Sequence, residues 1–365
     1  MEGSMKAAPA WMRAYSPSLD GLRGIAIALV LMDHMAPRLA GLGLGGLALW
    51  GWCGVDLFFV LSGFLITGII LDGRGEPGFF RSFYARRGLR IWPLYALVVP
   101  VNYWLCGRAN TWVGGGVFWL YFLFLVQNLR PGLSGTLYPS WSLAIEEQFY
   151  LAWAPAARYL PASAIAAVLA VILAVEPWVR GHWALNPVNT LYHLDGLAVG
   201  ALIALGLRTL RWPRTTWARV AWAAVGAGAL GLAWAARGHG AWLNSFLALG
   251  FGGCVLLALE GEGRASLWVR GLRLPALRFL GRISYGLYLT QVIVFALLGG
   301  VDERLDRAHA GAAGDLVIIA MRTVAAIAVA AALWYGFERP ILRLKRFFPR
   351  QAEAQAPQPA ATAAN

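Results

Sequence analysis

The sequence has little charge and little cysteine. Asp, Glu, Lys and Arg make up 13% of its 365 residues, against about 25% in a soluble domain. Hydrophobic residues make up 59%, and a soluble fold cannot cover that much apolar surface. Cys53, Cys106 and Cys254 lie within or beside apolar runs at no metal-like spacing, so neither a disulfide framework nor a zinc site is expected. We therefore expect an integral membrane protein without a metal.

The sequence also lacks the alternation of apolar and polar residues that is typical of membrane β-barrels. A helix needs about 20 mostly apolar residues to cross a hydrocarbon core of about 30 Å. Eleven stretches are candidates: 22–40, 47–71, 91–106, 112–128, 141–157, 161–176, 189–207, 217–236, 242–259, 283–300 and 315–337. The predicted fold class is an all-α, polytopic integral membrane helix bundle.

The sequence has fewer acidic residues (18) than basic residues (31), which gives a net charge of +13. Most basic residues lie in four short clusters next to apolar runs: 74–90, 208–219, 264–282 and 339–350. Such clusters are typical of the cytoplasmic side of membrane proteins, so we expect both termini in the cytoplasm and no nucleic-acid partner. Because the cluster at 74–90 and the C-terminus are both expected in the cytoplasm, the number of crossings between them must be even. Nine candidate stretches lie between them. One candidate therefore does not cross, which predicts about ten crossings with the ambiguity between 112 and 180.

The composition does not change along residues 1–350, and the sequence has no clear internal repeat. One membrane-embedded domain is therefore predicted over residues 1–350. The last residues, 351–365, are rich in Ala, Pro and Gln without apolar periodicity, which predicts a disordered cytoplasmic tail. The N-terminus has no cleavable signal pattern. The first span is therefore expected to be retained.

Ionisable residues are rare inside the apolar runs, and each costs about 2.5–3.5 kcal/mol at the bilayer centre on insertion scales. His34 follows Arg23 by eleven residues, which puts both on one helix face about 16 Å apart, with Arg23 at the cytosolic mouth and His34 deep. A neutral imidazole is the commonest general base. A histidine bonded to a backbone carbonyl of a neighbouring helix is an equally weighted interpretation.

Four acidic residues and a serine form the next group of candidates. Asp56 needs a partner inside the bundle, whereas Ser62 in the same span is more typical of a packing seam. Glu146 and Glu147 are adjacent and point about 100° apart, so at most one can face a given site, and the other is expected to pair with an arginine or cap a helix. Glu338 stands at the cytosolic end of the last span, where pairing with an arginine is expected.

Three arginines stand at the start of the third predicted span. Arg87 and Arg90 are three residues apart and share one face, with Arg86 beside them. Two forked guanidiniums on one face suit bidentate capture of phosphates from the cytosol. An ordinary cytoplasmic anchor for the span is the alternative interpretation.

Six segments in this order resemble the membrane acyltransferase 3 family: LDGLRGIAIALVLMDH, GVDLFFVLSGFLITG, the arginine pair before IWPLY, SWSLAIEEQFYL, GRISYGLYLTQ and FERP. The resemblance runs from about Leu19 to Pro340. It implies transfer of acyl groups, usually acetyl, onto hydroxyls of bacterial glycans and some macrolides. It marks as functional the residues that match the family's motifs: His34, Arg23, Arg87, Arg90, Glu146, Glu147 and Glu338.

The resemblance implies acetyl-CoA or another acyl-CoA as the cytosolic donor and a glycan or lipid-linked glycan of the cell envelope as acceptor, at a bacterial inner membrane. The expected donor-phosphate residues are Arg23, Arg86, Arg87 and Arg90. His34 would take the acceptor's proton and Glu147 would orient or charge-stabilise His34. Acylation of His34 first, with ping-pong kinetics, is the alternative. Where many family members carry a histidine, this chain has Gln291, which cannot exchange a proton near neutral pH.

A transporter or flippase of a lipid-linked sugar is the chief alternative function, because it too would have about ten spans and buried charges. It should show two halves with matching broken helices, and the sequence shows no such pairing. A structural partner of an envelope-synthesis complex is a third interpretation, and Gln291 is its only support. The acyl group, the acceptor hydroxyl and the oligomeric state are not defined by the sequence.

Overall fold

The computed structural model describes residues 16–105, 115–129, 135–262, 266–308 and 311–349. Over these ranges the chain is helical and contains no strand, which confirms the predicted all-α class. Helices of 16 residues or more are numbered here in chain order: α1 Pro17–His34, α2 Gly54–Asp72, α3 Phe79–Leu105, α4 Trp141–Tyr159, α5 Ala162–His182, α6 Leu194–Thr209, α7 Arg214–Ala235, α8 Leu243–Glu260, α9 Pro275–Leu297 and α10 Gly311–Leu333.

Shorter elements join these helices. The short α-helices are Ala36–Gly41, Gly45–Ala48, Gly115–Leu123, Leu267–Leu272, Gly299–Arg307 and Arg339–Leu342. The 3-10 turns are Gly51–Cys53, Gln127–Leu129, Gly135–Ser140, Thr190–Tyr192, Gly240–Trp242 and Arg343–Phe347, and one π-helical turn spans Trp334–Glu338. Cys106 and the predicted tail at 351–365 lie outside the described residues.

Six of the described helices are long and apolar enough to cross a membrane, namely those that contain α2, α5, α7, α8, α9 and α10. The chain is therefore a multi-pass membrane protein. The helix α6 has 16 residues, which is shorter than a full crossing needs, and α1 and α4 carry more charge. The total of ten crossings stays a prediction.

The candidate span 112–128 contains only a nine-residue described helix, Gly115–Leu123. Leu125 follows it with a φ of 52°, a left-handed conformation that a helix does not continue through. At 1.5 Å per residue, nine residues span about 14 Å and do not cross a bilayer. This segment lies in the interval where the sequence predicts a helix that does not cross.

The helices α2 and α9 form the centre of the bundle. In the most apolar window of α2, 72% of the residues are buried, against 17% in the helix that contains α10. On α2, Gly63 meets the backbone of α6, because a Cβ there would overlap the carbonyl oxygen of Leu197. Small residues allow such close contacts between membrane helices. The peripheral faces of α5, α7 and α10 are left for lipid.

The helices α1 and α9 run parallel and in close contact. A Cβ at Gly24 would overlap the carbonyl oxygen of Leu277, and a Cβ at Gly281 would overlap that of Asp20. Further along, Leu31 of α1 packs in the same apolar cluster as residues 294 and 295 of α9. The two helices therefore meet closely in their first turns, and their later residues belong to one apolar cluster.

A carboxylate from the loop after α8 caps the start of α1. Oε1 of Glu262 accepts hydrogen bonds from Oγ of Ser16 at 2.8 Å and from the backbone N–H of Ser18 at 3.1 Å. Arg273 pairs with the other oxygen of Glu262. The free N–H groups and the positive dipole end of a helix favour an anion at this position. This contact fixes the end of α1 that carries Arg23.

Candidate active site

The end of the bundle where α1 and α3 begin contains a cavity of about 390 Å³, here named the arginine cavity. One acidic residue, Asp20, lines it and forms an ion pair of 3.5 Å with Arg23. The basic side chains that line it are Arg23, Arg86, Arg87, Arg90, Arg282 and Lys345. Basic charge thus exceeds acidic charge, and guanidinium groups are the preferred partners of phosphates.

One carboxylate and two aromatic rings surround Arg90. Its Nη1 atom lies 4.0 Å from Oε2 of Glu338, and its guanidinium carbon lies 5.8 Å and 5.7 Å from the ring centres of Tyr285 and Trp334. The π-helical turn at the end of α10 carries both Trp334 and Glu338, and such turns are frequent at functional sites. Glu338 therefore lies beside an arginine, as expected.

A second cavity of about 130 Å³, here named the middle cavity, continues from the first. Arg23, Arg87 and Arg90 line both cavities. These three arginines therefore form a neck between the arginine cavity and the middle cavity. A ligand whose phosphates bind at the neck can extend an uncharged arm into the bundle.

Two residues singled out from the sequence meet in the middle cavity. Ser62 on α2 donates a hydrogen bond of 2.8 Å to Oε1 of Glu146 on α4, and the hydroxyl of Tyr150 donates to Oε2 of the same glutamate. The guanidinium of Arg87 lies over the ring of Tyr150 at 5.1 Å. Ser62 therefore does more than pack, because it positions a carboxylate next to the neck.

Glu147 points away from Glu146, as the 100° step of a helix requires. Its charge interacts with Arg87, and its Oε1 atom is buried without a hydrogen bond in the described part of the chain. No hydrogen bond or ion pair joins it to His34 within the described ranges. The structure places Glu147 toward Arg87, and the orientation of His34 by Glu147 stays a prediction.

His34 lies in a third cavity of about 180 Å³, here named the histidine cavity. It is the last residue of α1, at the opposite end of that helix from Arg23. Its Nδ1 atom lies 2.8 Å from the carbonyl oxygen of Val30, one turn earlier in its own helix and not in a neighbouring one. A carbonyl only accepts, so Nδ1 carries the proton and Nε2 keeps its lone pair. This tautomer leaves Nε2 able to act as a base.

Two aspartates share the histidine cavity with His34. Asp33 lines it and interacts electrostatically with His34. Asp56 lines it from the first turn of α2, and its charge interacts with Asp195 and Arg180. Arg180 in turn donates a hydrogen bond of 2.9 Å to Asp195. Arg180 on α5 therefore supplies the opposite charge for Asp56, whereas the charge of Asp195 on α6 opposes it.

A second histidine, which the sequence analysis missed, lines the same cavity. The ring of His193 lies 4.8 Å from that of Trp141 and 5.9 Å from that of Phe59. Its Nε2 atom bonds to the carbonyl oxygen of Pro187 at 2.8 Å. Since that bond uses the Nε2 proton, His193 is held as a fixed wall of the cavity. Its position just before α6 is the only signal in the sequence.

Val55 and Tyr288 line both the middle cavity and the histidine cavity. The hydroxyl of Tyr288 lies 2.6 Å from Oγ of Ser142 and 2.8 Å from the carbonyl oxygen of Pro139. Tyr288 donates its proton to this carbonyl, so two hydroxyl groups, that of Tyr288 and that of Ser142, lie close together near the boundary between these cavities. The three cavities form a series from the arginines at one end of the bundle to His34 near the other.

Gln291 occupies α9 one turn beyond Tyr288. It is fully buried, and neither Nε2 nor Oε1 has a hydrogen-bond partner in the described ranges. In the parallel register of α1 and α9, His34 lies ten residues after Gly24 and Gln291 lies ten residues after Gly281. The residue that departs from the family pattern is therefore level with His34.

The aromatic residues of the histidine cavity were also missed, because their contacts join segments far apart in the sequence. They are Trp52, Tyr138, Trp141 and Tyr288. Within the described residues, no group of three or more His, Cys, Asp or Glu side chains is arranged to bind a metal. The site thus combines basic, carboxylate, imidazole and aromatic groups, which suits acyl transfer between two organic substrates.

The fold and these cavities define a multi-pass membrane protein with three neighbouring cavities among its helices. The acyltransferase 3 family profile, described as an acyltransferase domain, matches residues 16–335. The chain belongs to this family. No solved structure matches it.

Curated relatives carry related names. The chain is 34% identical over 164 residues to the peptidoglycan O-acetyltransferase OatA of Listeria monocytogenes, which covers 41% of this chain and 25% of the relative. It is 35% identical over 154 residues to the putative peptidoglycan O-acetyltransferase YrhL of Bacillus subtilis, and this match covers 38% of this chain and 23% of the relative. A putative O-acetyltransferase of Staphylococcus aureus is 33% identical over 152 residues. The matches span about a quarter of each relative's length.

Proposed function

We propose that this protein is a membrane O-acetyltransferase that moves an acetyl group from cytosolic acetyl-CoA to a hydroxyl of a cell-envelope glycan. The observation that carries the proposal is the series of three cavities, which joins a cluster of basic side chains to a histidine with a free Nε2. The family membership and the names of the relatives support the same reaction.

The donor enters at the arginine cavity. Arg23, Arg87 and Arg90 bind the phosphates of CoA at the neck, where bidentate guanidiniums suit phosphate oxygens. Trp334 offers an aromatic face to the adenine in the same cavity. The uncharged pantetheine arm then lies in the middle cavity and carries the thioester toward His34.

The acceptor enters at the histidine cavity. Aromatic side chains pack against the apolar faces of sugar rings, and a few carboxylates fix the hydroxyls. Trp52, Tyr138 and Trp141 supply the rings, while Asp33 and Asp56 supply the carboxylates. The basic clusters assign the arginine end of the bundle to the cytoplasm, so the glycan approaches from the opposite side of the inner membrane.

His34 is the general base. Its Nε2 takes the proton of the acceptor hydroxyl as the hydroxyl oxygen bonds to the thioester carbon, and returns that proton to the departing CoA sulfur. The hydroxyls of Ser142 and Tyr288 would donate to the negative oxygen of the transition state after turning from the carbonyl oxygen of Pro139, to which both now donate. Asp33 stabilises the imidazolium, in the role that the sequence analysis assigned to Glu147.

The test compares label transfer by two histidine variants. Purified protein is incubated with isotopically labelled acetyl-CoA and peptidoglycan fragments, as wild type, His34→Gln and His182→Gln. His182 is a matched control, because it also ends a helix and its Nδ1 also bonds to the carbonyl four residues earlier, at 2.9 Å. We expect transfer by wild type and His182→Gln and a loss of at least 100-fold in His34→Gln. Equal transfer by both variants would remove His34 from the mechanism, and movement of glycan without label would favour a flippase.

A further inference from the structure

The segment after the last long helix folds back onto the start of α3. Ser82 donates hydrogen bonds of 2.9 Å and 3.1 Å to the carbonyl oxygens of Phe348 and Pro349. Arg86, one turn later, donates to the carbonyl oxygen of Phe348 at 3.1 Å. Residues 343–349, here named the C-terminal segment, are thereby fixed against the arginine-bearing face of α3.

This attachment brings Lys345 to the arginine cavity. Lys345 lines the cavity, and its carbonyl oxygen lies 3.4 Å from Nη1 of Arg86. The same cavity is lined at another point by Trp334, eleven residues earlier. The C-terminal segment therefore forms part of the wall of a cavity that α1, α2, α3, α9 and the π-helical turn also line.

The basic residues of the arginine cavity fall into two sets. Arg23, Arg87 and Arg90 form the neck, because they also line the middle cavity. Arg282 and Lys345 line the arginine cavity alone, as does Arg86. These three residues make up the outer set, which lies away from the route to His34.

Coenzyme A has two separate phosphate groups. Its pyrophosphate joins the pantetheine arm directly, whereas the 3′-phosphate sits on the ribose beyond it and carries a charge of about −1.5 to −2 near pH 7. With the arm in the middle cavity, the pyrophosphate meets the neck and the 3′-phosphate meets the outer set. Lys345 and Arg282 line this outer part of the cavity, and Nη1 of Arg86 is bonded to backbone carbonyls of the C-terminal segment that carries Lys345.

We infer that Lys345, held in place by Ser82 and Arg86, binds the 3′-phosphate of the CoA donor together with Arg282, and so makes the enzyme selective for CoA over donors that lack this group. Arg86 is then a positioning residue for the C-terminal segment. The inference rests on the proposed function, because it assigns one phosphate of the proposed donor.

The experiment measures transfer from acetyl-CoA and from 3′-dephospho-acetyl-CoA by the full-length protein. For wild type we expect kcat/KM to favour acetyl-CoA, mainly through KM, by about tenfold or more, which corresponds to one charge-assisted contact. In Lys345→Ala this preference falls about tenfold while kcat/KM for the dephospho donor is unchanged. Arg343→Ala is the control, since Arg343 is an exposed cation of the same segment that does not line the cavity.

Ser82→Ala tests the attachment without touching the cavity lining, and we expect it to lower the preference severalfold. Lys345→Gln keeps the length of the side chain, and binding of CoA and of 3′-dephospho-CoA to this variant is measured directly in case Lys345→Ala does not fold. A lysine variant that weakens both donors equally would overturn the assignment of the 3′-phosphate. If wild type transfers from neither donor, the proposed function fails and this inference with it.

Discussion

Ser62 and Glu146 form a hydrogen bond of 2.8 Å between α2 and α4. It joins two helices that pack beside the neck of arginines, and the hydroxyl of Tyr150 completes the pair of donors to this carboxylate. A buried carboxylate without donors is costly. The contact therefore stabilises the bundle and holds a carboxyl group close to the positive neck.

The first prediction concerns this hydrogen bond. Ser62→Ala leaves Oε1 of Glu146 without its donor, and we expect unfolding to become easier by about 1–3 kcal/mol. Thermal unfolding in detergent measures the change. In a Glu146→Gln background the same serine substitution should cost clearly less, because the two side chains no longer form their native hydrogen bond. Equal costs in the two backgrounds would show that the two side chains act independently.

The second prediction concerns the contact of α1 with α9. Gly281→Ala places a methyl group against the backbone carbonyl of Asp20, which cannot yield as a flexible side chain would. We expect a loss of about 1–3 kcal/mol of stability and a lower melting temperature. Gly226→Ala on α7 is the control, because a Cβ there meets nothing within 4 Å. An equally stable Gly281→Ala would contradict the close packing of α1 and α9.

The third prediction is a pH dependence at the start of α1. Burial raises the pKa of the Glu262 carboxyl, but hydrogen bonds from Ser18, Arg273 and Ser16 together lower it below its ordinary value of 4.5. A lowered pKa means that the carboxylate stabilises the folded state above pH 4.5, and that this stability is lost as the pH falls through the lower, folded-state pKa.

Glu262→Gln tests this dependence. At pH 7 we expect it to destabilise the protein by about 1 kcal/mol, the usual effect of losing a helix cap. The difference between wild type and variant should shrink toward zero as the pH falls below 4.5. Melting temperatures of both proteins across pH 3 to 8 provide the measurement, and a difference that stays constant with pH would argue against a charged cap.

The fourth prediction concerns donor binding. Arg87→Ala removes one guanidinium from the neck, so we expect KM for acetyl-CoA to rise about tenfold with a smaller change in kcat. Arg81→Ala is the matched control, since Arg81 is exposed on the same helix and lines neither the arginine cavity nor the middle cavity. An unchanged KM would favour the alternative interpretation, in which Arg87 anchors the helix at the cytoplasmic side and does not bind the donor.

The fifth prediction concerns the order of the reaction. In the proposed function, donor and acceptor enter from different cavities that share Val55 and Tyr288 in their linings, so both would bind at once and His34 would not need to hold the acetyl group. We expect sequential kinetics, with intersecting lines in double-reciprocal plots, and no protein label when labelled acetyl-CoA is mixed without acceptor. Parallel lines with an acetylated His34 would establish the ping-pong alternative.

The helices were predictable from the sequence because apolar runs of membrane length leave few other solutions. The span expected at 91–106 nevertheless begins at Phe79, because the arginines of the cytoplasmic cluster continue the same helix beyond its apolar part. Hydropathy detects only the apolar part of such a helix.

The site was predictable within single helices and not between them. The shared face of Arg23 and His34 follows from 3.6 residues per turn, as does the divergence of Glu146 and Glu147. Which of the two glutamates faces the middle cavity depends on how α4 packs against α2. For the same reason, His193 and Lys345 enter the site through contacts between distant segments, which periodicity does not report.

Arg23 and His34 belong to one uninterrupted helix. Their separation along the axis, about 16 Å, is therefore set by covalent geometry and does not change when neighbouring helices shift. In the proposed mechanism this fixed distance matches the arm of the donor, so a thioester carried on a shorter or longer arm than pantetheine would stop before or beyond His34. Such an enzyme would reject other activated acyl compounds by the length of the arm alone, whatever the acyl group.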